Sequence, residues 1–379
     1  MSEQVERLAL QYEVHVYSNR VVDLDLNRIV WHRIPALPGP HLFAYCWWLI
    51  ANRIARWWGQ RFDGLEFGLI YSPGINCFDA DIISVHVVFG EYYAQVRRGL
   101  KLAANPVKSW PRLLHRRIYC QLAIALERVV YGGKTPILTV VSARVGKALR
   151  RYGRFEADLP IIFHGVDTQR FSVEVRRRLR TPARVALDLQ EGDVSLLLVG
   201  NDWKSKGLPC ILEAIGKLEI DFVRLLVVGR DIVEPYRSTL VRLHLEGRVK
   251  FLPLRSDVEF YYAATDIYVG PSLEDAFGMP PAEAMACGVP SIVSSKAGVS
   301  EIITEGVDGF ILEDPRDSDR LATLIGLLCR DYALREKIGG AAVKVARQLT
   351  WDNNAAQLDQ LFQEVIGHKA NEHLAVPKE

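Results

Sequence analysis

The chain has 379 residues, 49% of them hydrophobic and 24% charged, a balance that excludes disordered and collagen-like polypeptides and suffices for two globular domains. Its six cysteines, Cys46, Cys77, Cys120, Cys210, Cys287 and Cys329, show no C-x-x-C spacing, which argues against a zinc site or a disulfide framework and fits a reduced, cytoplasmic chain. The net charge of +2 conceals an asymmetry: residues 1–180 carry 26 Lys and Arg against 15 Asp and Glu, the remainder 21 against 30.

In chain order, Ser2–Gln11 reads as a helix and Glu13–Ser18 as a strand. No basic region followed by an apolar one opens the chain, which argues against a secretory signal. The most hydrophobic segment, Leu42–Ala51, is followed by Arg53 and Arg56 and has about half the length that spans a bilayer. Leu42–Trp58 is therefore expected to be a core helix of the first domain, interfacial contact through its tryptophans being the alternative. Short β-branched runs at Gly68–Ser72, Ile82–Val85, Ile137–Ser142 and Pro160–His164 predict strands buried on both faces. Between Arg97 and Arg154 Glu127 is the single acid among 14 basic residues, with Trp110, Tyr119, Tyr131 and Tyr152 interspersed. This region predicts an anionic partner, a membrane surface or phosphorylated glycolipid, with nucleic acid disfavoured and a solvated face as the alternative.

After a basic connector, Arg176–Arg184, a second series of strands is predicted at Val194–Gly200, Arg224–Gly229, Val249–Leu252, Ile267–Gly270 and Ser291–Ser294. Alternation of such strands with helices predicts two parallel α/β halves. Ligands sit beyond the carboxyl ends of strands in such sheets, so the loops 200–207, 229–231, 254–257, 271–279 and 295–299 are expected to converge. Gly200-Asn-Asp-Trp-Lys-Ser-Lys-Gly207 is small and basic, and Gly278-Met-Pro-Pro opens a helix whose amides can face an anion. A diphosphate suits both, with Lys206 beside it and Glu283 accepting hydrogen bonds from sugar or ribose hydroxyls. Taken singly, a solvated lysine and an exposed helix glutamate would explain the same residues. Asp79-Ala-Asp81 precedes a strand rather than forming a metal motif, and no Gly-x-Gly-x-x-Gly follows a strand, which disfavours a nicotinamide dehydrogenase.

The ordered set Gly-Asn-Asp-Trp-Lys-Ser-Lys-Gly, Val-Val-Gly-Arg230 and Pro-Ser-Leu-Glu-Asp-Ala-Phe-Gly-Met-Pro-Pro-Ala-Glu-Ala-Met-Ala-Cys-Gly-Val-Pro resembles the donor half of the GT-B retaining glycosyltransferases of the fourth family, the glycosyl transferases group 1. Ala297–Ile303, Gly306–Ile311, Thr350-Trp-Asp and His164-Gly-Val-Asp-Thr-Gln-Arg-Phe171 continue it, so it covers residues 136–365 well and the rest more loosely. In pattern the chain is similar to lipopolysaccharide-core glucosyltransferases and phosphatidylinositol mannosyltransferases.

The resemblance implies two Rossmann-like doubly wound domains facing a cleft: an acceptor domain at 1–172, a donor domain at 185–349 and a closing helix at 350–367 packing back on the first. It implies hexose transfer with retained configuration from a UDP- or GDP-linked sugar to a glycan or glycolipid acceptor of the cell envelope, peripherally on the inner face of the plasma membrane, with no cofactor or metal. Lys206, Asp275 and His86 take the catalytic positions. Lys204, Phe277, Gly278, Met279, Glu283, Arg230 and Leu254 take the donor-binding ones. Two departures stand out: an aspartate, Asp275, replaces the commoner glutamate, and the arginine usual before the lysine is missing, with Lys204 as its substitute. The resemblance also implies a strand and glycine loop ahead of the first helix. Here the helix comes first, so the N-terminal first strand is expected to be missing, through a late start. The alternative function is a non-catalytic scaffold or nucleotide-sugar-binding protein lacking that loop.

Overall fold

The computed structural model describes residues 2–97, 110–132, 136–153 and 159–375. Residues 98–109, 133–135 and Arg154 of the basic region lie outside the described residues. The chain divides into two compact units, Met1–Phe163 with Trp351–Glu379, and His164–Thr350.

In the first unit, α1 (Ser2–Leu8) leads to β1 (Val14–Ser18), β2 (Ile29–Arg33) and α2 (His41–Phe62). Then come β3 (Tyr71–Pro73), β4 (Ile82–Val85), α3 (Phe89–Val96), α4 (Trp110–Tyr131), β5 (Ile137–Val140) and α5 (Ala143–Gly153). All pairings are parallel, but the described strands form two sheets, β1-β2 and β3-β4-β5. Residues of β1, β3 and α1 line a shared cavity of about 800 Å³. β2 escapes the sequence reading because Ile29-Val-Trp-His-Arg mixes apolar and polar residues on both faces. The stretch Pro160–His164 is corrected from a strand to a single bridge, Val140 with Ile161.

The expectation that Leu42–Trp58 is a core helix is also corrected. α2 buries Leu49, Asn52, Arg56 and Gly59, while Phe43, Ile50, Ile54, Trp57 and Trp58 are each more than half exposed. Its inner face holds an ion pair, in which the Arg56 guanidinium grips Asp79 at 3.0 and 2.6 Å and donates from Nε to Asn52 at 2.8 Å. A buried cation needs such partners.

The second unit comprises α6 (Val173–Ala186), β6 (Val194–Val199), α7 (Leu208–Gly216), β7 (Val223–Val228), α8 (Glu234–Arg242) and β8 (Val249–Leu252). It continues with α9 (Glu259–Ala264), β9 (Ile267–Gly270), α10 (Met279–Ala286), β10 (Ser291–Ser294), β11 (Phe310–Leu312), α11 (Ser318–Arg330) and α12 (Tyr332–Ala346). Every residue of β6, β9 and β10 is buried, as strands covered on both faces require. The six strands are all parallel in the order β11-β10-β9-β6-β7-β8. Read from β8, this is the doubly wound order 3-2-1-4-5-6, whose switch point lies between the first and fourth strands, here β6 and β9. The chain then returns to the first unit as α13 (Trp351–Ala375), which packs on α1. There Leu358, Leu361, Phe362 and Val365 join Leu8, Ile82 and Ile162 in one core. Among the described residues no helix is long and apolar enough to cross a membrane.

Candidate functional site

The loops that leave β6 and β9 meet at the switch point. After β6 the backbone turns through Asp202 at φ +78°, whose carbonyl accepts from the Lys206 N–H at 2.9 Å and whose carboxylate accepts from the Ser205 N–H at 3.1 Å. The Trp203 ring is buried against Tyr236 and Phe251, and its backbone N–H donates to Asp231 at 2.9 Å. The loop is thereby anchored to the one after β7. Gly207 closes it at φ +87°, where a Cβ would lie 2.1 Å from the Pro271 carbonyl oxygen; only glycine allows the β6 and β9 loops to come so close. The Leu273 N–H then donates to the Ser205 carbonyl at 2.8 Å, locking the two loops together.

Lys206 and Asp275 form an ion pair at 2.5 Å, both side chains partly open to solvent. The lysine stem lies across Gly200, where a Cβ would stand 2.9 Å from its Cγ. Asp275 is held by its backbone, its N–H donating to Lys296 at 3.0 Å and its carbonyl accepting from Gly298 at 3.1 Å. Phe277 is buried, with the His164 ring edge-on at 5.7 Å. Gly278, at φ +98°, is the N-cap of α10. Pro280 and Pro281 follow. Proline lacks an N–H, so the free donors at this end are those around Gly278 and Met279, with the helix's positive end behind them.

Glu283 lies one turn into α10 and accepts from the Tyr262 hydroxyl at 2.6 Å. Burial raises its carboxyl above the ordinary glutamate value, against the opposing effects of the Tyr262 hydrogen bond and the Arg170 cation. Buried Tyr268 of β9 senses both acids: after burial, Asp275 and then Glu283 push its phenol well upward.

The structure pairs Lys206 with Asp275, two residues before Phe277 and the Gly278–Met279 start of α10, and holds Glu283 one turn into that helix against Tyr262. Lys204 is exposed on the same loop. Arg230 is exposed after β7, its backbone N–H donating to the Asn201 side chain at 2.9 Å. Leu254 is exposed beyond β8, the edge strand. His86 belongs to the first unit, directly after β4, and burial lowers its imidazole to about 4. Sequence reasoning missed Tyr262, which sits in a helix with no motif of its own, and Arg170, which donates to Glu259 at 2.6 Å. No group of three metal-ligating side chains occurs among the described residues.

A doubly wound sheet with a lysine, a carboxylate and a proline-opened helix end at its switch point defines a Rossmann-like α/β domain. Residues 180–345 of this domain match the family model of the glycosyl transferases group 1, and the chain as a whole has the GT-B fold. It resembles the crystal structure of WaaG, a glycosyltransferase involved in lipopolysaccharide biosynthesis, with TM-score 0.75 and 18% identity over 95% of this chain and 94% of that one. A crystal structure of Anabaena HepE with UDP-glucose matches with TM-score 0.68 and 19% identity, over 96% and 94%. A curated relative, the D-inositol 3-phosphate glycosyltransferase of Salinispora tropica, is 27% identical over 266 residues, which are 65% of this chain and 52% of that protein. The chain thus spans about half the length of this relative.

Proposed function

We propose that the protein is a glycosyltransferase that moves a hexose from a nucleotide diphosphate sugar to a glycan or glycolipid of the cell envelope, with retention of configuration. The observation that carries this reading is the Lys206–Asp275 pair beside the start of α10, where Gly278 and Met279 offer their N–H groups. A departing nucleotide diphosphate gathers negative charge on phosphate, and a lysine with helix-end amides aimed there stabilises it most in the transition state. Asp275 takes the donor sugar's hydroxyls and holds Lys206 in place until the diphosphate replaces it as the lysine's partner. Glu283 takes the ribose hydroxyls, oriented by Tyr262. The acceptor hydroxyl attacks from the side of the leaving diphosphate, so that orientation carries much of the rate. Lys204, Arg230 and Leu254 line the donor's approach. The nucleotide sugar is a co-substrate and no resident cofactor is needed.

UDP is favoured as the nucleotide by the likeness to HepE, which binds UDP-glucose, and an envelope acceptor by the likeness to WaaG. The basic residues between Arg97 and Arg154 suit a cytoplasmic enzyme that visits an anionic inner membrane face. The test is calorimetric titration with UDP- and GDP-hexoses of the parent and of a Lys206→Ala, Glu283→Ala variant. Micromolar binding lost in the variant is the expected result. Binding in the parent without sugar transfer would favour a non-catalytic nucleotide-sugar-binding protein, and no binding at all would overturn the donor site.

A further inference from the structure

α2 is inverted for a helix of a water-soluble fold. At about 100° per residue, Phe43, Trp47, Ile50, Ile54, Trp57 and Trp58 fall on one outward stripe, and the opposite, buried face carries Asn52 and the Arg56–Asp79 ion pair. Folding in water favours the reverse, because an apolar stripe of this size left in solvent forfeits burial energy and marks an interaction surface. Phe43, Ile50, Ile54, Trp57 and Trp58 remain 54–60% exposed, and Trp47, whose indole donates to the Pro35 carbonyl, 37%. Exposed Arg53 borders the stripe and exposed Arg61 stands at its end, and α2 contains no acid at all. The neighbouring α4 touches α2 through Tyr119, whose ring meets His41 and Tyr45 at 4.8 and 5.9 Å. It presents exposed Arg112, Arg116 and Arg117, while its one acid, Glu127, is buried.

We infer that the outer face of α2 is the element that enters the membrane interface, its tryptophans and isoleucines lying at the acyl boundary and Arg53 and Arg61 reaching anionic headgroups. Tryptophan, aliphatic side chains and arginine on one face form the pattern of a helix lying in the plane of a bilayer surface. A second copy of the chain is the poorer occupant, because a two-fold contact through this stripe would set like arginines against one another. The inference rests on the membrane reading above for its partner and extends it from charge to an inserted helix.

The test is flotation of the full chain with phosphatidylcholine vesicles, with and without an anionic phospholipid, for three proteins: the parent, an Ile50→Ser, Ile54→Ser, Trp57→Ser variant, and an Arg112→Gln, Arg116→Gln, Arg117→Gln variant. UDP titration serves as the control that the exposed substitutions leave the fold intact. The stripe variant is expected to lose vesicle partitioning by at least about tenfold with UDP binding unchanged, and the parent's tryptophan emission to shift blue on vesicles. If the stripe variant binds like the parent while the arginine variant does not, the inserted helix is overturned and the electrostatic reading survives. If the parent binds no vesicle, both fail, and a dimer that the stripe variant dissociates would identify a second copy as the occupant.

Discussion

At the scale of single residues, Lys206 illustrates how a surface cation becomes a site. Its ion pair with Asp275 is partly exposed and so adds little to stability, yet in the proposed reading the ammonium is the cation that receives the donor's diphosphate. Lys206→Ala is therefore expected to leave the unfolding midpoint nearly unchanged while lowering kcat/KM by about 10²–10³-fold, as initial rates with a UDP-sugar would measure. Gly207→Ala should do the opposite. Its positive φ and the 2.1 Å approach to Pro271 admit no Cβ, so a loss of about 2–4 kcal/mol is expected in denaturant unfolding. Tyr262→Phe removes the hydrogen bond that lowers the Glu283 carboxyl. That carboxyl then rises further, and donor binding should fail at a higher pH on acidification than in the parent, a shift that titrations across pH would reveal. Lys206, Asp275 and Glu283 were legible in the sequence because each stands in a local motif. Tyr262 and the Ser205–Leu273 lock were not, since each joins residues distant in sequence.

At the scale of elements, the first unit carries a half-buried histidine and a buried glutamate with opposed pH responses. Burial keeps His86 neutral in the folded unit down to about pH 4. The unfolded chain binds that proton near 6.5, so His86 withdraws stability as pH falls from 6.5 to 4. Glu127 receives the Phe89 and Gly90 N–H groups at the start of α3, at 2.7 and 3.4 Å, yet burial pushes it up to about 7 against an ordinary 4.5. It holds a proton where the unfolded chain is already ionised, so it withdraws stability as pH rises from 4.5 to 7. The two slopes offset one another. Glu127→Gln should unmask the histidine's, giving a variant that loses about 2–3 kcal/mol between pH 6.5 and 4 where the parent changes little, as urea unfolding at each pH would show. The α/β alternation that produced these elements was readable from β-branched runs. β2 was not readable, because a strand of mixed polarity has no period to detect.

At the scale of the whole molecule, the chain leaves the first unit at Phe163 and returns to it at Trp351. The return is energetic as well as topological. α13 places four apolar side chains in the first unit's core, and Asn354 accepts from Gln4 at 2.8 Å while donating to the Phe163 carbonyl at 2.7 Å. At about 1.5–3 kcal/mol for each buried side chain, their loss rivals the entire stability of a domain, about 5–15 kcal/mol. A chain ending at Thr350 should therefore keep hydrogen-exchange protection in β6, β9 and β10 and lose it in β4 and β5. Equal protection in both units would contradict this.

The sequence by itself determined the alternation of strands and helices and the chemistry of the loops at the strand ends, because periodicity, glycine and proline act over a few neighbouring residues. Tertiary structure alone decided the rest. The switch point between β6 and β9 sets Lys206 against Asp275 across 69 positions. α2, apolar on its outer stripe and in places on its inner face, could have turned either way. In the fold its Arg56 side faces inward, a placement made tolerable by the pairing of Arg56 with Asp79, because a buried cation without a partner is strongly destabilising.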